Sequence, residues 1–206
     1  MRLGKLALIR GQVLAAAIVS VEKPSAARQV VIQLLQQANR NANIQLAEPT
    51  TTPGNKQIVQ VTKNQVNRLS QQIQDGKQYI VRIFSAGNYV RGENQIEFFA
   101  DAALNQLVFS EGEVLATTTA NSKTMTSYQL RQRLELLISA SQFRARNAGI
   151  LESIEVDSTF LQFVAQIGKY KEAFEIKAVA AQNTYTAGPL KVKLIAIQNG
   201  EVLFST

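Results

Sequence analysis

A short pattern, apolar run, glycine-bearing corner and second apolar run, occurs three times along the chain and constrains the fold more than any other feature. It stands near the start as Leu8-Ile9-Arg10-Gly11-Gln12-Val13-Leu14-Ala15, and in the middle as Leu107-Val108-Phe109-Ser110-Glu111-Gly112-Glu113-Val114-Leu115-Ala116. It closes the chain as Ile197-Gln198-Asn199-Gly200-Glu201-Val202-Leu203-Phe204. Two apolar runs joined by such a corner predict a β-hairpin. The middle copy finishes one unit and begins another, so a tandem duplication is expected, with repeats at residues 1–108 and 109–206.

Between the copies the same elements recur in the same order. In the first repeat, Pro24-Ser25 opens a helix with Val30, Val31, Leu34, Leu35 and Ala38 on its apolar face, ending at Arg40-Asn41-Ala42-Asn43-Ile44. A proline-bearing loop at 48–55 leads to a strand at 57–61. Thr62 and Gln65 form a capping box before a helix with Val66, Leu69 and Ile73 inward, closed by Asp75-Gly76. A strand at 79–86, a polar turn at 87–94 and a strand at 96–100 complete the unit.

In the second repeat a polar connector at 117–123 precedes a second capping box, Thr126 with Gln129, and a helix with Leu130, Leu134, Leu137 and Ser141 on one stripe. That helix ends at Arg146-Asn147-Ala148-Gly149-Ile150. The matched endings place Asn43 and Gly149 where a left-handed residue is needed just past a helix. A strand at 150–156, a helix from Asp157 with Leu161, Val164 and Ile167 inward, a strand at 174–181, a turn at 184–189 and a strand at 191–197 follow. The expected fold is α+β, each repeat running hairpin-helix-strand-helix-strand-strand, with mostly antiparallel sheets covered by helices.

Composition limits the chemistry. The 206 residues contain no histidine and no cysteine, which excludes a Ser-His-Asp triad, a Cys-His pair and the usual zinc sites. No apolar run reaches the roughly 20 residues a helix needs to cross a bilayer. The net charge is +7, carried mostly by residues 1–103, where twelve lysines and arginines face six acids. That asymmetry is compatible with nucleic acid or an anionic surface as a partner, but a solvated basic surface is the simpler reading, because no lysine or arginine has another directly beside it.

Few residues qualify as a site. Glu97 and Asp101, four apart on an expected strand, could join Glu155 and Asp157 in a carboxylate cluster for a divalent metal. The strand at 174–181 offers only Glu175 to such a site, and exposed acids at strand ends are the simpler account. Ser20-Val21-Glu22-Lys23 has the spacing of a nucleophilic Ser-x-x-Lys motif without its companions. Gly87 to Gly92 has the glycine spacing of a phosphate loop, but Glu93 stands where a lysine is required, and an acid there repels phosphate. Arg131, Arg133, Arg144 and Arg146 share one helix, with Arg133 and Arg144 on one flank of the leucine stripe and Arg131 and Arg146 on the other. Tyr89, Arg91, Tyr185 and Thr186 occupy corresponding turns of the two repeats. As exposed groups on loops they are, with Arg131 and Arg133, the partner-binding candidates. No cofactor is called for.

Several long stretches carry a resemblance: Leu130-Arg131-Gln132-Arg133-Leu134-Glu135-Leu136-Leu137, Ala140-Ser141-Gln142-Phe143-Arg144-Ala145-Arg146, Ser85-Ala86-Gly87-Asn88-Tyr89-Val90-Arg91-Gly92-Glu93, Phe99-Ala100-Asp101-Ala102-Ala103-Leu104-Asn105 and Thr184-Tyr185-Thr186-Ala187-Gly188-Pro189-Leu190. Together they resemble the cyanobacterial domain-of-unknown-function family 3084, in its C-terminal soluble region. The family has no established activity, so the resemblance assigns no catalytic residue. It implies context: a head carried by a coiled coil at the cytoplasmic face of a membrane. The function expected is a non-catalytic interaction or scaffolding head with a protein partner or self-association. Nucleic-acid binding is the alternative, and a metal-dependent nuclease-like enzyme a third reading.

Overall fold

The computed structural model describes residues 5–48, 56–150, 152–170 and 172–206. The chain divides into two compact units, Met1–Asn105 and Gln106–Thr206.

The first unit contains β1 (Leu6–Leu8), β2 (Val13–Ser20), α1 (Pro24–Leu46), α2 (Lys63–Gln72), β3 (Gln78–Ser85), β4 (Tyr89–Val90) and β5 (Phe98–Leu104). Its main sheet has the order β2-β3-β5, antiparallel throughout, and β1 pairs with β4 in a separate two-stranded sheet. The core lies between the main sheet and the two helices, with Leu14, Val31, Leu34, Leu69, Ile73, Val81 and Ile83 all buried in one cluster.

The second unit contains β6 (Leu107–Phe109), β7 (Val114–Asn121), α3 (Ser127–Asn147), β8 (Glu155–Val156), α4 (Phe160–Ile167), β9 (Ala173–Ala180), β10 (Thr184–Tyr185), β11 (Lys191–Gln198) and β12 (Glu201–Ser205). Its sheet has the order β12-β11-β9-β7, with β8 parallel to β11, while β6 pairs with β10. Leu130, Leu134, Leu137, Phe163, Ile176 and Leu194 belong to its core cluster. The protein is thus α+β with mostly antiparallel sheets, as the sequence predicts.

The corners are built alike. Gly11 and Gly112 both take positive φ, +82° and +78°, which a side chain resists. The amide of Gly11 donates to the Ser85 carbonyl and that of Gly112 to the Ala180 carbonyl, each at 2.8 Å. The Arg10 amide donates to Asn88 Oδ1 and the Glu111 amide to Asn183 Oδ1. Both β2 and β7 carry a bulge at their start.

These corners correct the expected hairpins. β1 does not pair with β2, nor β6 with β7; each short strand leaves to pair with one far along the chain. A glycine between apolar runs marks a reversal but cannot say which strand each run pairs with. Only the last copy is a true hairpin: Gln198 faces Glu201 across the two-residue loop Asn199-Gly200, both with positive φ, the loop such a turn prefers.

Other boundaries also differ. α1 continues to Leu46, so Asn43 is not a left-handed cap. It is helical and buried, and its amide donates to the Asn39 and Lys56 carbonyls. Gly149 does take positive φ beyond α3. The strand expected at 57–61 is a single parallel bridge from Val59 to Ile96, and that at 150–156 is two residues long. The polar turns at 87–94 and 184–189 hold the short strands β4 and β10. The threonines taken for a connector belong to β7, where β-branched side chains suit an extended backbone.

Leu161 is 77% exposed rather than inward; Phe163 and Ile167 hold the buried face of α4. Glu97 precedes β5, so it does not share a strand with Asp101. Both capping boxes form as expected, Thr62 with Gln65 and Thr126 with Gln129. Most of the 48–55 loop lies outside the described residues.

Candidate functional site

α1 and α3 occupy the same place in their units. Buried Ala27, Val31, Leu34, Ala38 and Ala42 of α1 correspond at constant spacing to buried Leu130, Leu134, Leu137, Ser141 and Ala145 of α3. Next to Ala38 and Ser141, Asn39 Oδ1 accepts from the amides of Ile58 and Val59, and Gln142 Oε1 accepts from the amide of Ile154. These amides, which nothing in the periodicity singles out, tie each long helix to the segment leading into the next helix.

The arginines of α3 divide. Arg144 donates to the Val114 carbonyl at 2.6 Å, pairs with Glu113 at 2.8 Å, and lies 5.6 Å from the centre of the Phe109 ring. Arg133, on the same flank, donates to the Thr119 carbonyl at 3.2 Å. Both reach β7, the outer strand of its sheet, and cover carbonyls that strand leaves unpaired. Arg131 and Arg146 are exposed. Glu135, also exposed, is the one acid on α3.

Away from the sheet, α3 shows solvent a row of large apolar side chains. Tyr128 is 69% exposed, Leu136 69% and Phe143 67%. At 100° per residue they fall within about 80° of one another, on a row about 22 Å long. Gln132, held by the Tyr128 hydroxyl at 2.9 Å, and Ser139 lie between them. The corresponding positions of α1 are Ser25, Gln33 and Arg40, all exposed and polar. This architecture therefore does not require an apolar outer row. The exposed isoleucines of α1, Ile32 and Ile44, fall about 120° apart and form no row.

The residues singled out from the sequence lie elsewhere, apart from the arginines. Tyr89 is buried, correcting its expected exposure; its hydroxyl accepts from the Glu97 amide at 2.8 Å. A side-chain carbon at Gly87 would stand 3.2 Å from the Tyr89 ring, and the Gly92 amide donates to the Leu46 carbonyl. The glycine spacing there thus serves packing. Arg91 donates to the Ala47 carbonyl at the end of α1, where a cation favours the helix dipole. Thr186 is buried and exchanges hydrogen bonds with the Gln106 backbone. Tyr185 is 48% exposed.

Two of the four candidate acids are engaged. Asp101 pairs with Arg82. Asp157 accepts from the Thr159 hydroxyl and amide, and these bonds, the hydroxyl's first, hold its carboxyl below the ordinary value. Glu155 and Asp157 line a cleft of about 350 Å³ together with Lys191 and Lys193, so cations already face these acids. Among the described residues no three of His, Cys, Asp and Glu gather as a metal site would require. Ser20 donates to the Gly76 carbonyl from within β2. No helix among the described residues is long and apolar enough to cross a membrane.

Residues 109–206 match the profile of the family described as DUF3084-associated C-terminal helical hairpin. Those residues are similar to the DUF3084 C-terminal module. All 206 residues are 63% identical to uncharacterized protein alr4393 of Nostoc sp. (strain PCC 7120 / SAG 25.82 / UTEX 2576), of which they cover 42%. The chain therefore spans less than half the length of that relative. No solved structure matches it. Both findings agree with the cyanobacterial family read from the residues. Within residues 109–206 the helices are α3 and α4, separated by β8 and set in one core with the sheet.

Proposed function

We propose that this chain is a non-catalytic interaction head, and that the outer face of α3 is its contact surface. One observation carries the reading: at matched positions of two equivalent helices, polar Ser25, Gln33 and Arg40 are replaced by exposed Tyr128, Leu136 and Phe143. Large apolar groups set in a row on an otherwise solvated face are the mark of a surface that binds. The family resemblance adds that such a head is carried by a coiled coil associated with a membrane.

The test is quantitative recovery of partners from a native lysate by the wild-type chain and by Tyr128→Ser/Leu136→Gln/Phe143→Arg. The reading expects specific proteins lost from the variant and retained by Ser25→Ala. Identical recoveries contradict it.

Nucleic-acid binding keeps one support, the charge of residues 1–103. Part of that charge is already engaged: Arg82 pairs with Asp101, Arg28 donates to Asn67, and Arg91 caps α1. That reading requires binding to DNA or RNA that falls steeply with added salt.

A further inference from the structure

We propose that the occupant of the α3 outer row is an α-helix of a separate partner protein, with an apolar seam bordered by acidic residues. The proposal rests on the reading of the chain as an interaction head and names the chemistry of its partner.

Spacing selects a helix. Along α3 the row advances by eight residues from Tyr128 to Leu136 and by seven from Leu136 to Phe143, or about 12 and 10.5 Å. That matches the translation of one heptad along a second helix. A strand laid on the row would present same-face side chains about every 7 Å, out of step with it. Ser139, small and exposed between Leu136 and Phe143, leaves the hollow into which a partner side chain fits as a knob.

Charge selects the borders. Exposed Arg131 stands on one flank with the single acid Glu135, Arg133 stands on the other, and Arg146 lies in line with Tyr128 beyond Phe143, so three arginines meet one acid around the row. Acidic positions beside a partner's seam would meet these arginines as opposite charges across a helix pair do. The same arginines oppose a second copy of this chain, because pairing two α3 helices sets arginine against arginine. They are compatible with an anionic bilayer, but the row is not. It is one side chain wide and holds Gln132 within it, a polar group that a partner helix can hydrogen-bond and lipid cannot.

The full chain is titrated with a synthetic amphipathic helical peptide carrying leucines along one seam and glutamates on both borders, and with a twin carrying lysines instead. The glutamate peptide should bind at least tenfold tighter than the lysine peptide, with the gap closing as salt is added. Leu136→Gln/Phe143→Arg should lose at least tenfold in affinity, with circular dichroism reporting an intact fold. Arg131→Glu/Arg146→Glu, which leaves the apolar row untouched, should reverse the preference between the peptides. Equal affinities, or binding indifferent to both variants, would overturn the proposal. So would a row-dependent dimer in equilibrium sedimentation, or row-dependent binding to phosphatidylserine vesicles without peptide binding. If neither peptide binds while row-dependent recovery from lysate persists, the helical partner is wrong and the interaction head stands. If both are absent, both readings fail.

Discussion

Seen from the sheet, α1 and α3 are interchangeable: the same five inward positions are buried, and Asn39 and Gln142 make the same kind of bond to the segment that follows. Seen from solvent they are not, since one shows Ser25, Gln33 and Arg40 where the other shows Tyr128, Leu136 and Phe143. Folding constrains the first set, because a buried position either fills its space or leaves a cavity. It leaves the second free, so the difference there points to a task outside the fold. The shared corners and matched inner rows also lead us to infer a common origin for the two units. Alignment of the two halves across relatives would break that inference if their similarity vanished.

The comparison can be broken from the inside first. Leu134 is 1% exposed, and Leu134→Ala should cost about 3 kcal/mol in urea unfolding through lost burial and a residual cavity. A loss below about 1 kcal/mol would mean that the inner face of α3 is not what holds the unit together.

The helix starts come next. Thr126 caps α3, whereas Lys23 before α1 makes no side-chain capping bond. Thr126→Ala should lower stability by about 1 kcal/mol, while Lys23→Ser should raise it by a few tenths.

The corners should respond equally. Gly11 and Gly112 have open space around them, so Gly→Ala at either costs only backbone strain, about 1 kcal/mol. Clearly unequal losses would show that the two corners are not equivalent.

The smallest effect separates the starts of α2 and α4. The first unit caps α2 with Thr62; the second places Asp157 before α4. Because the folded carboxyl lies below its ordinary value, its contribution is present above the unfolded pKa and disappears as pH falls through the folded one. Wild type should therefore exceed Asp157→Asn in stability near neutral pH and converge with it in acid. Thr62→Val should show no such pH dependence.

Much of this was legible in the residues. Both capping boxes, the inner leucine row of α3 and the α+β class are written in short-range spacing, where 3.6-residue and two-residue periods have direct physical causes. The misses share one cause, a dependence on what lies far along the chain. Nothing near Leu6 announces that it will pair with Val90, so a corner reads as a hairpin. Asn43 looks like a helix stop until Lys56 supplies its buried amide with a partner. Leu161 fits an apolar period, but Phe163 and Ile167 take the buried face. Tyr89, in a polar turn, suggests a surface aromatic; the Glu97 amide turns its hydroxyl inward. The outer row of α3 was visible all along as Tyr128, Leu136 and Phe143. Only the equivalence with α1 shows that the fold does not need it.

That claim is tested most directly by the urea midpoint of Tyr128→Ser/Leu136→Gln/Phe143→Arg, which gives α3 the outer row of α1. The account predicts a midpoint displaced by no more than the scatter of ordinary surface substitutions, about 0.5 kcal/mol each. A cooperative loss of several kcal/mol, on the scale of Leu134→Ala, would contradict it, because the row would then belong to the core rather than to a partner.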